Sequence, residues 1–96
     1  MNTSRKTKPK FALGLIVITR SALDVLHSQD VLAGLARHVV GDWGELDSHD
    51  WQENQFAVET GNLRILSAYE TRDGIRFWVI TEADRSATTV LLPEDY

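Results

Sequence analysis

Asn62-Leu63-Arg64-Ile65-Leu66-Ser67-Ala68-Tyr69-Glu70-Thr71-Arg72-Asp73-Gly74 is the stretch where the chain changes its hydrophobic period. Leu63, Ile65, Ser67 and Tyr69 alternate with Arg64, Leu66, Ala68 and Glu70, the spacing of a strand with one better-buried face. Asp73-Gly74 then supplies the positive φ angles that a tight hairpin needs. Ile75 to Thr81 is the expected return strand, Glu82 to Ser86 a second connection, and Ala87 to Leu92 a third strand ended by Pro93. Three strands joined by short loops predict an antiparallel meander.

Upstream of Asn62 the period is helical. Ser21, with Asp24 three positions on, caps a short helix carried by Ala22, Leu23, Val25 and Leu26, and Ser28-Gln29-Asp30 breaks it and caps the next. Between Val31 and Val40, the residues Leu32, Leu35, Ala36 and Val39 fall on one helical face, and Gly41 is placed for a left-handed cap. Asp47 or Ser48 opens a third helix that Gly61 closes, with Trp51, Gln55 and Val58 on one face and Asn54 beside them. Further back, Phe11 to Thr19 is β-branched and aliphatic almost throughout, which predicts a strand covered on both faces. The order β-α-α-α-β-β-β therefore predicts an α+β fold, a mostly antiparallel four-stranded sheet with three helices packed on one face. The first strand goes to an edge of the meander, with insertion within it as the lesser alternative, and its apolarity argues for the better-covered position.

At 96 residues, 43% hydrophobic and 25% charged, the chain has the composition of a soluble globular protein, with one domain expected over residues 11–96. The absence of cysteine removes disulfides, cysteine-rich zinc sites and thiol catalysis together. No apolar run is long enough to span a membrane, so the expectation is a cytoplasmic protein without membrane contact. Residues 1–10 read as a disordered basic arm in which Arg5, Lys6, Lys8 and Lys10 either solubilise the chain or touch phosphate by counterion release. The other six basic residues stand against fourteen acids, which leaves the body at −8. That charge discourages nonspecific nucleic-acid binding and favours a protein partner.

Around Arg37-His38-Val39-Val40-Gly41-Asp42-Trp43-Gly44-Glu45-Leu46-Asp47 a helix ends and polar groups gather about an indole. His38 reads as an imidazole at a helix C-terminus, or as a general acid or base beside Asp42. Trp43, between two glycines, is either packed in the core or turned outward as a partly accessible binding anchor, whereas Trp51 and Trp78 are more easily core residues. Asp42, Glu45, Asp47, Asp50, Glu53 and Glu59 form an acidic stripe that, with His38 and His49, offers metal-type ligands in no recognised spacing. Helix capping and the helix dipole account for the same acids, and no metal or other cofactor is called for. In the connection before the last strand, Arg85 either binds an anion as a planar fork or pairs with Glu82 or Asp84. The expected functional surfaces are thus Asp42-Trp43 with Asp47, Asp50 and Asn54, and the Glu82–Ser86 connection with Asp84 and Arg85.

The runs Ala36 to Asp47 and Trp78 to Tyr96, with Asp50, Asn54 and Leu66-Ser67-Ala68-Tyr69, resemble a group of small, uncharacterised bacterial proteins described only as hypothetical or plasmid-related. The resemblance covers nearly everything after the basic arm. It implies a mobile-element context, and it carries no activity or catalytic residue to these positions. With no complete catalytic constellation, the expectation is a non-enzymatic interaction or regulatory module. The alternative is a small ribonuclease in which helices precede an antiparallel sheet lined by His38, Arg85 and Thr88; a metal-dependent hydrolase built on the acidic stripe ranks below it.

Overall fold

The computed structural model describes residues 8–96. Seven elements follow the expected order: β1 (Leu15–Ile18), α1 (Arg20–Val25), α2 (Ser28–Val39), α3 (Ser48–Thr60), β2 (Ile65–Glu70), β3 (Arg76–Thr81) and β4 (Ala87–Leu91), with a closing 3₁₀ turn at Pro93–Asp95. The sheet order is β1-β4-β3-β2, antiparallel through the meander and parallel between β1 and β4. This is an α+β fold with the helices on one face of a mixed, mostly antiparallel sheet.

The register divides the strands cleanly. Ile65, Ser67 and Tyr69 of β2 share the helix-covered face with Phe77, Val79 and Thr81 of β3, Thr88 and Val90 of β4, and Ile16 and Ile18 of β1. Ala22, Leu26 and Val31 press onto Tyr69, Phe77, Val79 and Val90 to make the main core. Trp43, Ala57 and Ile65 form a second cluster under α3. The opposite face carries no helix; Trp78 meets Tyr96 edge-on at 5.6 Å, and Arg64 reaches the same ring and donates to its hydroxyl at 3.1 Å.

Several boundaries move for local reasons. Thr19, not Ser21, caps α1 by accepting from the Ala22 N–H, and Ser21 instead donates to Asp95 at 2.5 Å. Asp47 caps α3, accepting the Asp50 N–H at 2.8 Å, and Gly61 ends it in the left-handed conformation. The basic-arm expectation for residues 1–7, with Arg5 and Lys6, lies outside the described residues. At Lys10 the chain is already tied down, its N–H donating to the Val39 carbonyl at 2.8 Å.

Two expectations are corrected. The face of α2 that enters the core is Val31, Gly34 and His38, one residue round from the Leu32, Leu35, Ala36, Val39 stripe, and Leu32 is left 66% exposed. Gly34 explains the rotation. A Cβ there would lie 2.8 Å from the Phe77 ring, so its absence lets the helix approach the sheet on that side. The second correction concerns β1: it takes the edge, one of the two places expected for it, but it is not covered on both faces there, with Leu15 69%, Ile16 41% and Val17 39% exposed. Phe11 to Gly14 lie outside the strand, with the Leu13 carbonyl accepting from Thr88.

Candidate functional site

The polar residues singled out by type are built into the fold. His38 is fully buried, with Nδ1 2.6 Å from the Ser67 hydroxyl and Nε2 2.8 Å from that of Thr81. Thr81 continues to Thr88 at 2.7 Å, and Thr88 donates to the Leu13 carbonyl at 2.7 Å. A hydroxyl has one proton to give, so the direction of the whole chain is fixed from its end. Thr88 gives its proton to Leu13, Thr81 must therefore give to Thr88, and His38 must give Nε2–H to Thr81. Ser67 then donates to the bare Nδ1. The imidazole is neutral, and burial pushes its pKa down to about 3.

Phe11 seals this chain. Its ring stands edge-on to His38 at 5.2 Å, stacks on Trp43 at 6.2 Å and lies 5.7 Å from the Arg85 guanidinium. The structure thus gathers His38, Thr88 and Arg85, the three catalytic candidates, into one neighbourhood. Arg85 is occupied there: it donates to the carbonyls of Ala57, Leu63, Glu82 and Ala83 at 2.7 to 3.1 Å, and it stands at φ 61°. It ties the end of α3 to the β3–β4 connection through carbonyls, not through the carboxylates of Glu82 or Asp84. Asp84 accepts the Ser86 N–H at 2.9 Å.

For Trp43 the structure takes the core alternative and overturns the outward one. The indole is fully buried, with N–H donated to Gln55 at 3.2 Å, so it is no accessible anchor; Trp51, expected inside, is 36% exposed. Asp42 takes a two-pronged contact from Arg37 at 2.8 and 3.1 Å, and that guanidinium holds its carboxyl below the usual carboxylate range. Arg37 also lies over the Tyr69 ring at 4.6 Å, and the Tyr69 hydroxyl donates to the Asp42 carbonyl at 2.6 Å. His38 therefore faces Ser67 and Thr81, with no bond to Asp42. Asp47 is a helix cap, and Asp50 is exposed on the first turn of α3. His49 and Glu53 make a loose exposed pair at 3.8 Å. Among the described residues no three His, Asp or Glu side chains converge as metal ligands.

Asn54 has a role that residue type did not reveal. Its Nδ2 donates to the Leu66 carbonyl at 2.6 Å and its Oδ1 accepts the Leu66 N–H at 3.2 Å. Next along, the Ala68 N–H donates to Trp43 at 3.1 Å and its carbonyl accepts from Glu45 at 2.7 Å. The outward-facing backbone groups of Leu66 and Ala68 on β2 are all taken. Gly44 permits this latch: at φ 79° it bridges Ala68, and a Cβ would sit 2.0 Å from the Ala68 oxygen.

The other edge is open. Leu15 donates to Ser86, just before β4, and Thr19 to Val90 within it, so in the parallel ladder the backbone groups of Ile16 and Ile18 point away from the sheet. Beside them lies a groove of about 280 Å³ lined by Ile16, Leu23, Leu26, Val31, Leu32 and Leu35. Leu23 is 62% exposed on its rim. Sequence reasoning missed this surface because it assigned β1 and the Leu32 stripe to the core; the absence of any charge between Phe11 and Thr19 was the signal.

The site this fold defines is thus an apolar sheet edge, uncovered among the described residues, with a groove beside it. Comparison of the chain with protein-family models, with curated proteins and with solved structures gives no match. Among the described residues, no helix is long and apolar enough to cross a membrane.

Proposed function

We propose that this protein is a non-enzymatic interaction module, acting as an accessory factor of a mobile element in the cytoplasm, and that it binds a protein through β1 and its groove. One observation carries the reading: among the described residues the apolar side chains and the unpaired backbone groups stand together at a single edge, while His38, Asp42, Trp43, Asn54, Thr88 and Arg85 are spent on internal bonds. Natural sheets protect an exposed edge with charge, proline or a bulge, and Leu15-Ile16-Val17-Ile18 has none of these. Adding a strand at such an edge supplies affinity through backbone bonds, and the neighbouring groove supplies selectivity through side chains. The mobile-element setting rests on the resemblance of the 36–47 and 78–96 runs.

Nothing in the geometry favours the ribonuclease reading. His38 and Thr88 are buried, and Arg85 faces carbonyls that a phosphate would have to displace. The test is capture of the tagged protein from its host beside a Val17→Lys variant, with recovered protein and nucleic acid both identified. A protein partner retained by the wild type and lost from the variant supports the module. Recovered RNA, together with a cleavage activity abolished by His38→Ala and by Arg85→Ala, would replace it with the enzyme.

A further inference from the structure

We infer that the partner seated on β1 is a second copy of this chain, paired antiparallel about a two-fold axis at Val17; the inference rests on the interaction-module reading and names its partner. The backbone decides the geometry. The groups of Ile16 and Ile18 face outward and those of Leu15, Val17 and Thr19 face β4. Opposed antiparallel residues that exchange both backbone bonds alternate with residues that exchange none. Placing Ile16 of one copy opposite Ile18 of the other satisfies every outward group of both strands and sets Val17 against Val17 as the non-bonded pair on the axis. The edge is thus complementary to itself in a closed register, which is the condition for a two-fold dimer.

Side chains agree with that arrangement. Ile16 and Ile18 point to the helix side, where the groove of each copy meets that of the other; Leu15 and Val17 lie on the opposite face. Leu23 and Leu32, exposed at 62% and 66%, flank the seam. With β1 they line one apolar stretch of surface along the edge. Charge selects the occupant. Neither β1 nor the groove lining contains a charged residue, so an acidic or basic peptide finds no counter-charge there. Two copies meet there without like charges in contact, although each body carries −8.

The chain has no cysteine, so single cysteines report the register directly in the full-length protein. Opposed residues have Cβ atoms about 5 Å apart, whereas the two copies of Leu15 are offset along the strands by about 13 Å. Under mild oxidation Val17→Cys is expected to form a covalent dimer rapidly, and Leu15→Cys, though more exposed, to remain largely uncrosslinked. Wild type is expected to sediment as a dimer, and Val17→Lys as a folded monomer with an unchanged circular dichroism spectrum. Phe56→Lys, placed on α3, should stay dimeric. Equal crosslinking through Leu15→Cys, or a dimer that survives Val17→Lys, would overturn the two-fold pairing. A wild type that is monomeric at its highest soluble concentration also overturns it. In that last case, a host protein bound through Val17 leaves the module reading standing, and no Val17-dependent partner removes both.

Discussion

The two edges of this sheet begin from the same problem and end differently. At β2 the outward groups of Leu66 are held by Asn54 and those of Ala68 by Trp43 and Glu45, so no strand can add there. At β1 the outward groups of Ile16 and Ile18 meet no other element among the described residues, and their neighbours are apolar and exposed. A fold that blocks one edge with a buried asparagine and a glycine-dependent latch has the means to block the other. The closed edge shows what protection looks like in this chain, and the open edge lacks it. The difference is what singles out β1 for the proposed pairing.

The closed side is where stability should depend most on condition and sequence. His38, beneath Trp43 and Phe11, is held neutral with its pKa lowered to about 3 from an ordinary 6.5. Below pH 6.5 the unfolded chain takes up a proton that the folded chain refuses, so folding stability is full above that value and falls as the pH drops toward 3. The loss is roughly 1.4 kcal/mol per pH unit, on the order of 5 kcal/mol over the window. Urea titrations at successive pH values measure it. His38→Gln, which can still donate to Thr81 and accept from Ser67, should fold and lose most of the slope between pH 6.5 and 4.5.

The latch itself comes next. Gly44→Val places a branched side chain where the Ala68 oxygen stands 2.0 Å from the Cβ position, at a φ such residues avoid. A loss of about 4 kcal/mol is expected, at the upper end of single substitutions. Asn54→Ala should cost about 2 kcal/mol, because it leaves the partly buried N–H and carbonyl of Leu66 without their partner. It also opens a second edge. The sharper observation is therefore association: wild type should stop at a dimer, and Asn54→Ala should continue to larger species at equal concentration. Equal size distributions would mean that Asn54 contributes stability without guarding the edge.

How much of this was legible in the chain follows from which forces act locally. The meander, the Asp47 cap and the order of elements are written in short-range patterns, and the structure has them; the turn also falls at Asp73-Gly74, but only Gly74 takes a positive φ, and the loop is closed by Thr71 bonding to Gly74 and Ile75. The positions of the apolar residues relative to the core were not, because a hydrophobic period records that a face is buried without recording what buries it. Leu32 and Val17 satisfy such a pattern equally well against a sheet or against another molecule. The partners of His38 and Trp43 were hidden for the converse reason. A polar group enters a core when partners arrive from distant elements, here Ser67, Thr81 and Gln55. One clue was available: Ser67 interrupts the buried face of β2 between Ile65 and Tyr69, and an inward hydroxyl implies a buried polar partner.

The smallest expected effect tests the open edge most directly. Val17 is 39% exposed on the face without helices, its backbone bonds run to β4, and its side chain enters neither core cluster. Replacing it with lysine keeps the ladder intact and lets the ammonium reach water along a flexible stem. The folding stability of the isolated monomer should therefore change by less than about 0.5 kcal/mol, as surface substitutions do. Urea denaturation at low protein concentration, where wild type is also dissociated, isolates that quantity. At high concentration the two should diverge, since wild type gains stability from association by mass action and the variant does not. A midpoint that rises with concentration for wild type and stays flat for Val17→Lys separates an edge kept open for binding from one merely tolerated. Identical, concentration-independent midpoints would mean that the apolar edge is simply solvent-exposed, and the contrast between the two sides of the sheet would carry no function.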